Sequence, residues 1–265
     1  TLDYYVLPYH LEKAKEHFKQ VHDILAVYES KFGAYPWPED GFKLVESPFA
    51  GMEHQTAIAY GNGYKDSNFW GFDYIIVHEI AHEWWGNAVS ADDYADIWLH
   101  EGFATYSEAL YVEAISGYDK YLLYLYNQEF IVKNKQPIVR VKDVNYWNHN
   151  DNDVYNKGSL VLHTLREYLD NDTLFFDIIA SFYELNKYEI VNTQNFVDLV
   201  NSKTNKNMDW FFNQYLYDRR VPILKMEIFL HAGDYHYAVY WENVNPDFEL
   251  SIKILDAYGE DKAVK

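Results

Sequence analysis

An α+β fold, mostly helical, is what this 265-residue chain predicts. Three observations point there. Over most of the first 217 positions apolar residues recur at steps of three and four, the period of an amphipathic helix. Two short stretches near the beginning, 42–47 and 52–61, have the β-branched and aromatic texture of strands instead. After "DRRVP" the texture changes for good, and "ILKMEIFL", "YHYAVYWENV" and "FELSIKILDAY" read as strands joined by hairpin-type turns.

Residues 10–32 place Leu11, Ala14, Phe18, Val21, Leu25, Tyr28 and Phe32 on one face, which predicts a single helix closed by Gly33. "YPWPEDG" is a rigid turn. The two early strands are separated by Pro48 and Gly51, and a Gly- and Asn-bearing loop spans 61–71. Asp73 is placed to cap a helix running to about Ala88. A second helix is expected from about Asp96 to Ser116, with Asp96 as its cap and Gly117 as its stop. A third follows over roughly 118–134, then an irregular polar connector, "KQPIVRVKDVNYWNHNDNDV". Further helices are expected over 154–169, 173–186, 193–203 and 208–217, with Thr173 and Thr193 as N-caps. A boundary near 219–222 separates a larger unit, 1–219, from 220–265, a β-tail or the start of a β-sandwich, too short to close a full one.

Bulk properties narrow the function. Half the residues are apolar, and 26 Tyr, 16 Phe and 8 Trp give a globular composition with ample material for a core. A formal charge of −19 argues against nucleic acid or an anionic membrane surface as partner, and fits cationic ligands, metal ions or solubility alone. The chain has no cysteine, so disulfides, thiolate metal sites and a cysteine nucleophile are excluded. No apolar run approaches the roughly 18 residues that membrane insertion needs. The chain begins at Thr1, which fits a processed form or an excised piece, and both compartment and oligomeric state stay open.

One stretch carries chemistry. "HEIAH" is His78-Glu79-Ile80-Ala81-His82. On a helix, positions i and i+4 point the same way, so two imidazoles can share one Zn²⁺. Glu79 lies about 100° round that helix, from where it can reach a metal-bound water without ligating. A catalytic zinc takes three protein ligands and keeps one place for water. Glu101 is the candidate third ligand: it follows His82 after 18 intervening residues, on a helix with little polar surface, where a bare carboxylate is costly and a cation removes the cost. The bland alternative, an exposed face with two His and two Glu, fits poorly with Tyr74, Ile75, Ile76, Val77, Ile80, Trp84 and Trp85 all around it. Glu108, two turns past Glu101, either accepts a hydrogen bond from a ligand histidine or is solvated. His100 and His163 read as core or surface histidines, and Trp84, Trp85 and Trp98 as packing.

"HEIAHEWWGN" and "WLHEGFATYSEAL" together resemble the M1 family of zinc aminopeptidases, a gluzincin group with a thermolysin-like catalytic domain. "AGMEHQTAIAYG" is similar to that family's GxMEN segment through Gly51, Met52 and Glu53, and "VYNKGSLVLHTLR" to its YxKG segment through Tyr155, Lys157 and Gly158. The likeness covers roughly 10–217. It implies one zinc per chain held by His78, His82 and Glu101, with Glu79 as general base and Tyr155 donating to the oxyanion. It also implies that Glu53 binds the free α-ammonium of a peptide and that the "GMEHQ" strand pairs with the peptide backbone. Two departures stand out. His54 follows Glu53 where the family usually has Asn, which bears on specificity and on strict exopeptidase behaviour. The family's N-terminal β-rich domain is not represented in this chain. The expected function is therefore a zinc aminopeptidase acting on peptides with free N-termini; the alternatives are a broader zinc hydrolase (endopeptidase or epoxide type) and a catalytically silent scaffold.

Overall fold

The computed structural model describes residues 1–144, 151–250, 254–255 and 261–262. A four-stranded sheet comes first. Strand β1 (Leu2–Tyr5), a short element outside the sequence expectation, lies parallel to β2 (Phe42–Glu46). Between them run α1 (Leu11–His17) and α2 (Gln20–Phe32). The edge strand β3 (Gly51–Met52) is antiparallel to β4 (Ile58–Tyr60), giving the order β1-β2-β4-β3. The expected strand 52–61 is thus two short strands with a turn between them.

The expected helix 10–32 is broken at Phe18 and Lys19. The break has a long-range cause. Both His17 and Gln20 reach Asp73, the cap of α3 (Tyr74–Ala81): His17 Nε2 lies 2.8 Å from Oδ2, and the Asp73 N–H donates to Gln20 Oε1 at 2.9 Å. Asp73 caps α3 as expected, accepting from the Ile75 amide, and Tyr60 and Asn62 donate to the same carboxylate. One buried side chain therefore ties the sheet and the first helices to the start of the motif helix.

Helix α3 stops at Ala81, well short of Ala88. Beyond it the amides of Asn87, Ala88 and Val89 bond five residues back, to His82, Glu83 and Trp84. The chain then forms β5 (Val89–Ala91), which leads through a short 3₁₀ turn into α4 (Trp98–Ser116). Asp93, not Asp96, caps that turn; Asp96 accepts instead from the amide and hydroxyl of Thr193. Helix α5 (Tyr118–Glu129) ends earlier than 134 because Asp153 takes the amides of Lys133 and Asn134.

Then come α6 (Asp153–Leu169), α7 (Asp172–Asn186), β6 (Glu189–Val191), α8 (Thr193–Thr204) and α9 (Asp209–Tyr215). The caps of α7 and α8 are Asn171 and Asn192, one or two residues ahead of the expected threonines. Asn192 forms a reciprocal capping box with Asn195, while the Thr193 hydroxyl is occupied by Asp96 and by the indole N–H of Trp98. Strands β5 and β6 pair in parallel. A long hairpin, β7 (Ile223–His231) and β8 (Asp234–Glu242), closes the described chain apart from two short strands, Ile254–Leu255 and Asp261–Lys262. Residues 251–253, 256–260 and 263–265 of the tail, and 145–150 of the connector, lie outside the described residues.

The core sits around α4. Trp84, Trp85 and Trp98 are fully buried and pack as expected. Trp85 lies 4.8 Å from Phe103 between ring centres, and Phe196 packs on both Phe103 and Phe182. The aromatic richness of the sequence is spent here, on rings in tilted and edge-on contact. Helices α4 and α6 cross at two glycines: a Cβ built on Gly158 would stand 2.9 Å from the Gly102 Cα. That contact brings Tyr155, one turn before Gly158, up to the motif helices.

Candidate active site

A cavity of about 630 Å³ opens between α3, α4, α6 and the edge strand β3. Its lining gathers the residues singled out from the sequence: Gly51, Met52 and Glu53 from the strand, His78, Glu79 and His82 from the motif, Glu101 and Glu108 from α4, and Tyr155 from α6.

Three candidate ligand atoms converge. His78 Nε2 and His82 Nε2 are 3.1 Å apart, and Glu101 Oε2 lies 3.4 Å from each. Ligands about 2.0–2.2 Å from a tetrahedral zinc are separated by about 3.3 Å, so this triangle matches one face of such a site. Glu101 Oε2 is buried and, among the described residues, accepts no conventional hydrogen bond. A lone carboxylate oxygen there carries a desolvation cost of several kcal/mol, which a cation removes. Burial pushes the Glu101 carboxyl up, but His78 and His82 outweigh it and hold it well below the usual carboxylate range.

Both histidines are aimed from behind. His82 Nδ1 donates to the Trp85 carbonyl at 2.8 Å. That carbonyl is available because the helix has ended: the Val89 amide, its partner in a continued helix, goes to Trp84 instead. His78 Nδ1 lies 2.7 Å from Glu108 Oε1, and the Tyr124 hydroxyl of α5 donates to the other oxygen of Glu108. Of the two readings of Glu108, the structure shows the hydrogen-bonded one. In each imidazole the Nδ1 contact leaves Nε2 facing the cavity.

Glu79 is 7% exposed, and its Oε2 has no hydrogen-bond partner among the described residues. Burial raises its pKa, with His78 and His82 offsetting part of the effect. A raised carboxylate is a better proton acceptor. Gly51 lies directly over it: a Cβ there would stand 2.4 Å from Glu79 Oε1. Glu53 contributes an oxygen to a cluster with Glu79 and His82 whose atoms lie within 4.8 Å of one another. The Tyr155 ring stacks on His78 at 6.0 Å. Burial raises the Tyr155 hydroxyl pKa, and Glu101, Glu53 and Glu79 push it further in the same direction, so it stays protonated and can donate.

The model of the Peptidase family M1 domain matches residues 9–215. The chain belongs to peptidase family M1. Mouse endoplasmic reticulum aminopeptidase 1 is 29% identical over 216 residues, covering 75% of this chain and 23% of that protein. Rat aminopeptidase B is 33% identical over 101 residues, 37% of this chain and 15% of its own length. The chain thus spans about a quarter or less of these M1 relatives. Among solved structures, an M1 zinc metallopeptidase variant from Deinococcus radiodurans bound to the substrate Tyr-Ser-Ala aligns with a TM-score of 0.65 at 24% identity, over 77% of this chain and 45% of that one. Native yeast LTA4 hydrolase aligns at 0.68 and 20% identity, over 81% and 37%. Both share the fold of this M1 chain. The family implies zinc, and the donor set described above fits it.

Glu83, the residue after His82, lies outside the set expected from the sequence. It is fully buried and accepts from the Thr56 amide at 2.8 Å. Burial pushes its carboxyl up to about 7, against the opposing effect of N–H groups from Thr56, Asn87 and Trp37. A sequence signal does exist: a carboxylate set directly before two tryptophans needs buried partners.

Proposed function

We propose that this M1 chain carries the catalytic centre of a zinc-dependent aminopeptidase that removes the N-terminal residue from peptides. The observation behind this reading is the convergence of the His78–His82–Glu101 triangle, Glu79 and Glu53 in one cavity. His78, His82 and Glu101 hold the metal. Zinc bound there supplies a Lewis acid that lowers the pKa of water and polarises a carbonyl. Glu79 takes the proton of the attacking water and hands it to the leaving amine. Tyr155 donates to the carbonyl oxygen as it gains negative charge. Glu53, beside Glu79, binds the substrate ammonium, and the free edge of β3 pairs with the peptide backbone. On this reading residues 1–219 are the catalytic unit, and 220–265 are a β-tail or the start of a β-sandwich.

A panel of free and N-acetylated aminoacyl substrates tests this. Cleavage is expected for free amines, lost on chelation and restored by Zn²⁺. Equal cleavage of acetylated peptides would remove Glu53 from its amine-binding role and favour a broader zinc hydrolase. The exposed His54 and Gln55 after Glu53 are the feature that favours this second reading.

A further inference from the structure

The turn between β3 and β4 carries Glu53 and is closed by few bonds of its own. The His54 amide bonds to Met52 O and the Ala57 amide to His54 O, both at 2.9 Å. Thr56, at its apex, has φ +58°, a left-handed conformation that is unfavourable for a β-branched residue. Such a conformation persists only when surrounding structure holds it. Here the Thr56 amide is held from another element, by Glu83 Oε1 at 2.8 Å. Glu83 in turn faces the side-chain N–H groups of Asn87 and of Trp37 in the "YPWP" turn, neither of which has another partner among the described residues. Glu83 is joined by a peptide bond to His82, whose ring faces the cavity.

We propose that Glu83 is a positioning residue that fixes the Glu53 turn relative to the motif histidines. It thereby sets the distance at which a substrate ammonium and the scissile carbonyl are held together. The one helix end carries His82 on one side and the anchor of the amine-binding turn on the other. The proposal rests on the aminopeptidase reading of Glu53.

Binding of L-leucine amide and N-acetyl-L-leucine amide to the zinc-loaded chain tests it, in wild type, Glu83→Leu and Glu83→Gln. Glu83→Leu removes the acceptor. It is expected to weaken the free-amine ligand by about tenfold or more, the scale on which small misplacements act. The acetylated ligand and the zinc content are expected to stay within about twofold, well inside that scale. Glu83→Gln, whose carbonyl oxygen can accept from the Thr56 amide, is expected to recover free-amine binding. Equal loss for both ligands, or no loss in Glu83→Leu, overturns the proposal. Should Glu83→Leu not fold, Glu83→Ser is too short to reach Thr56 and carries the same expectation. Hydrogen exchange is an independent check: the wild-type Thr56 amide should be protected, and fast exchange there overturns the anchor. If wild type itself fails to distinguish the two ligands, the aminopeptidase reading falls, while Thr56 protection still judges the anchor.

Discussion

Helix α4 and the β7–β8 hairpin invert the usual rule of burial in opposite directions. From Trp98 to Val112 every residue of α4 except His100 is buried, including the carboxylates Glu101 and Glu108. The hairpin is held by continuous backbone pairing from Ile223↔Glu242 to His231↔Asp234, yet Met226, Ile228 and Leu230 are each more than 60% exposed. Buried carboxylates are tolerated where polar partners meet them, His78 and His82 beside Glu101, and His78 and Tyr124 beside Glu108. A two-stranded ladder alone is at best marginally stable in water, and contiguous apolar surface of this kind marks a face that another surface can cover. The two regions show that burial alone does not locate function here. What locates it is which polar atoms are buried and what they face.

Substitutions can break this contrast. The largest effect is expected at Glu79→Gln, which should retain zinc by elemental analysis while turnover falls by about 10²–10⁴-fold, the range for loss of a general base. Near-normal turnover would remove Glu79 from proton transfer. Next is Gly158→Ala, whose methyl meets the Gly102 backbone. It should force α4 and α6 apart and cost about 1–3 kcal/mol in denaturant unfolding, typical of overpacking. A smaller effect is expected from pH. Burial holds His163 below its usual value of 6.5, with Glu167 opposing. Between the two pKa values the folded chain binds fewer protons there than the unfolded one, so the contribution is present above about pH 6.5 and is lost as pH falls from there through the lower folded-state pKa. The unfolding midpoint should drop between about pH 7 and pH 5, and less so in His163→Gln. The smallest change belongs to the hairpin: Ile228→Lys should shift stability by less than about 0.5 kcal/mol and leave turnover unchanged. A collapse of either quantity would mean that the hairpin is coupled to the core.

Much of the site was legible because its chemistry is local. HExxH spacing, the helical face and a carboxylate in an apolar run are all short-range facts, and His78, His82 and Glu101 come together as those facts require. The departures from expectation share a different cause. Helix 10–32 breaks because His17 and Gln20 turn toward Asp73, more than fifty residues away. Helix α3 ends early as its following amides reach five residues back, and Asp96 serves the distant Thr193 rather than a helix start. The three-residue strands β5 and β6 are too short to show a period and exist through each other. Glu83 belongs to this group: Thr56 and Trp37 lie in two turns far back in the chain.

The contact between Gly51 and Glu79 has a consequence for redesign. With no room for even a methyl group, the strand that would hold a peptide lies directly against the side chain that would accept the proton of the attacking water. Altering selectivity by widening or shifting that strand would disturb reactivity at the same stroke. A change at Tyr94, which borders the same hollow from outside that strand, leaves the contact alone.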